Sequence, residues 1–251
     1  MQEPLSLRPA ARPIQDIRCA LVPVMRSALV MVAIAMVASL MLPSRALAQG
    51  APPVGWKWTL DGPARLVNGG RFLSTDSTFD FVHMAPGWHI TMGPGAVLYD
   101  PAERASGRFV VEGELILFPD ASANEYGVFV GGKSLDDEAR KEWIALVVRA
   151  DGQVAVMRQR GNESTWLIPW RAHAASKVLL TGASAKNYVT VRAEPDSVRF
   201  VVNGERVAAF ERSALDVDGP FGFRIGKGVN LHITNLDVTR RMAPFPAPKR
   251  P

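Results

Sequence analysis

Residues 143–160 read Trp-Ile-Ala-Leu-Val-Val-Arg-Ala-Asp-Gly-Gln-Val-Ala-Val-Met-Arg-Gln-Arg, two apolar runs joined by Asp151-Gly152. Runs rich in Val and Ile that stop at turn residues read as strands. Asp-Gly between two such runs is the signal for a type I′ hairpin. This segment therefore sets the expectation for the whole chain: strands at short spacing, joined by tight turns.

The pattern continues outward in both directions. Residues 109–117 (FVVEGELIL) alternate with period two and read as a long strand. Residues 188–193 (YVTVRA) and 198–202 (VRFVV) form another pair, and Asn203-Gly204 turns the chain into 206–210. Residues 222–225 and 231–238 close the series, and 56–60, 79–83, 88–91 and 96–99 open it. The one helix-like stretch is 135–141 (LDDEARK). Some twelve to fourteen strands predict an all-β sandwich or barrel with at most one short helix.

The N-terminal region does not share this pattern. Residues 28–42 (ALVMVAIAMVASLML) carry no charge, follow Arg26 and precede Ala46-Leu47-Ala48. A basic start, a short apolar core and a small-x-small end predict a secretory signal peptide over 1–48, with Met25 as a candidate true start. Fifteen helical residues reach only about 22 Å, short of the ~30 Å hydrocarbon core. The expected division is a signal at 1–48, a Pro/Gly-rich leader at 49–55, one β-sandwich domain at 56–241 and a Pro-rich tail at 242–251. The localisation this implies is extracytoplasmic, periplasmic or secreted.

Removing the signal changes the charge. The 251-residue chain has 29 bases against 24 acids, but five arginines and two acids lie in 1–48. The remainder carries 24 bases and 22 acids, so the electrostatic case for nucleic acid largely goes. Cys19, the single cysteine, also leaves, which excludes a disulfide scaffold and a cysteine-only zinc site.

An ordered set of short motifs then becomes specific. It runs Glu125-Tyr126-Gly127-Val128-Phe129-Val130-Gly131-Gly132, Val148-Arg149-Ala150-Asp151-Gly152-Gln153, Arg158-Gln159-Arg160 and Pro169-Trp170. Asn187-Tyr188-Val189, Phe200-Val201-Val202-Asn203-Gly204 and Gly219-Pro220-Phe221-Gly222-Phe223-Arg224 follow. The succession, over about 107–238, resembles the secreted concanavalin A-like jelly rolls of the laminin-G and family-16 kind. In particular it resembles the bacterial branch named for 3-keto-disaccharide hydrolases. The resemblance implies an antiparallel two-sheet jelly-roll sandwich, often with a sugar-facing concave sheet. It transfers no catalytic signature residue by residue.

The residues themselves offer candidate chemistry. Glu112 and Glu114 share a strand face and are the candidate catalytic carboxylate pair, although Leu117 stands where a retaining glucanase would carry a third acid. A solvated strand face is the other reading. Trp166, Ile168 and Trp170 alternate along a short strand in which Pro169 implies an edge or a bulge. Arg158 and Arg160 share a face of the preceding strand. With Tyr126, Trp143 and Arg149 from neighbouring strands, these rings and guanidiniums would line a sugar groove if their faces coincide. Otherwise the tryptophans are core and the arginines ordinary surface.

No metal site or other cofactor is expected. His83, His89, His173 and His232 show no metal-ligand spacing, though His83 and His89 could meet across the Pro86-Gly87 turn. Asp216-Val217-Asp218-Gly219 offers oxygens for a structural calcium, and a plain turn explains it as well. No serine elbow or P-loop occurs. Two ligand-based readings remain. One is a lectin-like protein with a glycan as partner. The other is a glycoside hydrolase using two or more of Glu112, Glu114, Glu125, Glu142 and His83. A surface adhesion or assembly domain is the third, plainer alternative.

Overall fold

The structure is a computed structural model that describes residues 52–67, 78–119 and 124–240. The signal peptide expected at 1–48, the first residues of the leader and the tail at 242–251 lie outside the described residues.

Fifteen strands are present among the described residues. They are β1 (Lys57–Leu60), β2 (Arg65–Val67), β3 (Thr78–His83), β4 (Trp88–Met92), β5 (Ala96–Ala105), β6 (Phe109–Leu117), β7 (Tyr126–Lys133) and β8 (Glu142–Val148). There follow β9 (Gln153–Arg160), β10 (Glu163–Ala172), β11 (Ala185–Ala193), β12 (Ser197–Val202), β13 (Glu205–Glu211), β14 (Gly219–Ile225) and β15 (Asn230–Arg240). A seven-stranded sheet, here the front sheet, runs β1-β5-β14-β7-β8-β9-β10. An eight-stranded back sheet runs β13-β12-β11-β6-β15-β4-β3-β2. Successive hairpins build β7 to β10 and β11 to β13, whereas β14 inserts between β5 and β7 and β15 between β6 and β4. The result is an antiparallel jelly-roll sandwich, with one parallel pair, β2 with β3, at the edge of the back sheet.

The run 143–160 is nearly continuous in apolar residues because the front sheet is covered on both faces there. Ile144, Leu146, Val148, Val154 and Val156 face the back sheet and join the main core with Phe79, Phe109, Leu115, Phe200 and Phe223. Trp143, Ala145, Val147, Ala155 and Met157 face the other way, into a second apolar layer with Val97, Tyr99, Phe129 and Leu135. β6 shows the opposite case. Phe109, Val111, Leu115 and Leu117 are buried, and Glu112 and Glu114 alternate onto the outer face of the back sheet.

Two local expectations need correction. The 149–152 link is not a type I′ turn, because Asp151 keeps a negative φ and only Gly152 is left-handed, at φ +79°. The Gly152 amide donates to the Arg149 carbonyl at 3.1 Å, which gives a four-residue turn ending on glycine instead of a two-residue loop. The 135–141 stretch is a pair of turns closed by Asp137 and Arg140 amides on the Ser134 and Asp137 carbonyls, not a helix. The one helical turn among the described residues is a 3-10 turn at Arg212–Ala214.

Candidate functional site

Side-chain parity sorts the candidates onto different faces. On β8 and β9, Ile144 pairs with Arg158 and Glu142 with Arg160, so both arginines take the inward-facing phase of Val154 and Val156. They emerge at the end of the sandwich, where Arg158 donates to the Ala214 carbonyl at 3.3 Å and Arg160 pairs with Glu142 at 3.7 Å. Tyr126 is fully buried in the main core and accepts a hydrogen bond from Asn187 at 2.9 Å. Burial pushes its pKa up to about 12, the Asn187 bond opposing. The groove expected from Tyr126, Arg158, Arg160 and the tryptophans is therefore divided. Tyr126, Arg158 and Arg160 lie on the inward phase of the front sheet, away from the rings.

The remaining members do meet, on the outer face of the front sheet. β10 is the edge strand, and its pairing with β9 slips between Trp166 and Ile168 and again between Ile168 and Arg171. Pro169 sits inside that second irregularity, as its missing amide requires. The bulges turn Leu167 and Ile168 inward to the main core and leave Trp166 and Trp170 outside. Their rings stand 5.3 Å apart at 57°, and the Arg149 guanidinium lies 4.0 Å over the Trp170 ring. Trp166 is 42% exposed and Trp143 only 3%, so Trp166 is the accessible ring and Trp143 part of the floor.

Arg224 completes this face and was not singled out from the sequence. It is buried on β14, with its guanidinium 5.5 Å from the Trp143 ring. Its Nη2 donates to Asp61 at 2.6 Å and to Glu125 at 2.9 Å. Burial works against its charge, but the two carboxylates outweigh it and hold the pKa above the usual arginine value. The signal available in the sequence was the arginine itself, within Phe221-Gly222-Phe223-Arg224-Ile225, where every residue is buried.

Four donors on this face lack an acceptor: Trp170 Nε1, Arg149 Nε, and Arg224 Nε and Nη1. Buried donors are normally paired, and a group left unpaired costs about 1–3 kcal/mol. Unpaired donors on one face with exposed aromatic surface are the arrangement that takes hydroxyl or carboxylate oxygens of a ligand.

The carboxylates Glu112 and Glu114 lie on the outer face of the back sheet, on the far side of the sandwich from the tryptophans. Glu112 accepts from the Thr190 hydroxyl at 2.7 Å, and Glu114 pairs with Lys186 at 2.7 Å. The Lys186 hydrogen bond, against slight desolvation, holds the Glu114 carboxyl below its usual range, the reverse of what a general acid needs. Glu142 pairs with Arg160, and His83 packs edge-on against Trp88 with ring centroids 5.6 Å apart. His83 and His89 are not cross-strand partners. His83 faces Trp88, and His89 faces Val82 on one side and His232 on the other.

Asp216 pairs with Lys133, and Asp218 pairs with Arg212 at 2.7 Å. The proposed calcium oxygens are thus engaged with cations. Among the described residues no group of three or more His, Cys, Asp or Glu is placed to hold a metal ion. No helix among them is long and apolar enough to cross a membrane.

No protein-family model matches the sequence. No curated protein matches it either. Solved structures do match the fold. The carbohydrate-binding module CBM66 from Bacillus subtilis aligns over 74% of this chain and 96% of its own, with 11% identity and a TM-score of 0.53. A family 16 glycoside hydrolase from Bacteroides ovatus, solved with a G4G4G3G product, aligns over 76% and 98% at 9% identity and a TM-score of 0.49. A Bacillus licheniformis β-glucanase aligns over 77% and 96% at 11% identity and a TM-score of 0.48. The architecture is that of the concanavalin A-like jelly rolls, all-β with two packed sheets.

Proposed function

We propose that this chain is an extracytoplasmic carbohydrate-binding protein that holds a glycan on the outer face of the front sheet. The observation that carries the reading is the pair of unpaired donors, Arg149 Nε and Trp170 Nε1, at the Trp166–Trp170 pair, with two more on Arg224 further along the same face. A pyranose presents apolar C–H faces to the rings and oxygen acceptors to the donors. Ala145, Val147 and Ala155 are fully buried in the apolar layer that supports these side chains. Export through the signal at 1–48 places the protein where free glycans are met.

A glycoside hydrolase of the 3-keto-disaccharide kind is the second reading, and one observation favours it. Asp61 and Glu125 bond the same Arg224 nitrogen. That keeps their carboxyl oxygens within roughly 5.5 Å of each other, the separation of a retaining pair. Both, however, accept from a guanidinium, and an acceptor in that bond is not the proton donor that a general acid must be.

A glycan array run beside a hydrolysis assay on 3-keto-glucosides separates the two. Binding without turnover, unchanged in Glu112→Gln and Glu114→Gln, is the expected result. Turnover that disappears in Glu125→Gln would replace the binding reading with the hydrolytic one.

A further inference from the structure

We propose a second binding site, for an acidic saccharide, on the outer face of the back sheet. A depression of about 450 Å³ opens there over β6, β11, β12 and β13, lined by Glu112, Thr190, Arg192, Arg199 and Arg206. That size lies within the ~300–1,000 Å³ of small-ligand sites. It is on the opposite side of the sandwich from the tryptophans and does not rest on the reading of the front face.

The charges in this depression are unbalanced. Arg192 and Arg199 are direct cross-strand partners, and Val201, next on the same face of β12, is paired with Arg206. Like charges directly opposite in a sheet destabilise it. Arg108, Arg212 and Arg224 each have a carboxylate partner. Among the residues whose side chains are described, Arg192, Arg199 and Arg206 form no ion pair with one, and the buried Arg192 Nε has no acceptor. Three guanidiniums around one depression await an oxyanion.

The rest of the lining narrows the ligand. Among the described lining residues Glu112 is the one carboxylate, and its Oε2 already accepts a hydrogen bond from the Thr190 hydroxyl. It would repel a dense polyanion but accept hydroxyl protons. Among the described lining residues there is no aromatic ring to stack on a nucleobase. A group with one carboxylate or sulfate and several hydroxyls fits both features: a uronate or a sulfated sugar residue.

Calorimetric titration of the full chain tests this, using trigalacturonate, a sulfated disaccharide, neutral galactotriose and inorganic sulfate. At least one acidic saccharide should bind, more weakly as salt is raised, and the neutral sugar should not bind at this site. Arg199→Gln and Arg206→Ala should each weaken that binding about tenfold or more, and Trp166→Ala should leave it unchanged. Folding is read separately. Because Arg199→Gln relieves a like-charge contact, its Tm should equal or exceed that of the parent. Absence of binding by both acidic saccharides would overturn the proposal. So would affinity insensitive to Arg199 and Arg206, or inorganic sulfate binding as tightly as the saccharides.

Discussion

Tyr126 and Asn187 meet across the gap between the two sheets, and each owes its place to the other. Asn187 is fully buried on β11, donates to the Tyr126 hydroxyl, and accepts from the Lys177 amide at 2.9 Å and the Asn203 side chain at 2.8 Å. The phenol is therefore a structural tie. Tyr126→Phe leaves an Asn187 donor unpaired in the core, and urea unfolding should show a loss of about 1–3 kcal/mol. His89 makes a second residue-scale case. Burial beside Phe118 lowers its pKa from 6.5, with Asn230 opposing by a hydrogen bond and the His232 charge reinforcing. A histidine kept neutral by the fold binds its proton more readily unfolded, so its contribution is complete above pH 6.5 and is lost as pH falls towards the folded value. Between about pH 7.5 and 5.5 the Tm should fall, and more steeply in the parent than in His89→Leu. Equal slopes would remove His89 as the cause.

At the scale of elements, the outer face of the front sheet depends on where strands approach closely. A Cβ on Gly127 would lie 2.0 Å from the Leu146 carbonyl oxygen, so β7 and β8 tolerate no side chain there. Gly127 is also the register partner of Arg224. Gly127→Ala should destabilise by about 1–3 kcal/mol or more, read by thermal denaturation. Strand identity was largely legible in the sequence. The run 109–117 matches β6 because period two survives where one face is buried and one is not, and 153–160 matches β9 as an apolar run bounded by turn residues. The turn at Asn203-Gly204 was legible too, both residues taking left-handed φ as expected. What one strand cannot show is which face its side chains share with the next. Arg158 looked like a neighbour of Trp143, but register pairs it with Ile144 and puts it in the opposite phase. The bulges around Ile168 and Pro169 break the alternation that would align Ile168 with the tryptophans. The 135–141 stretch has helix-forming residues but too few to propagate a helix once Leu135 docks on the outer layer.

The whole molecule presents two chemically different faces on one sandwich. The front sheet carries rings, unpaired donors and a buried arginine between two carboxylates, and the back sheet carries an uncompensated arginine cluster. Arg224 and Asp61 could not be found from local pattern, because Asp61 follows β1 and Arg224 lies on β14. They come together only through the insertion of β14 beside β5. The glycan-binding claim rests on the front face, and affinity for a glycan identified on the array tests it most directly. Calorimetry on the parent, Trp166→Ala and Arg149→Ala, with Tm measured alongside, should show binding weakened about tenfold or more in both variants at unchanged Tm. Undiminished affinity in both correctly folded variants would contradict the account.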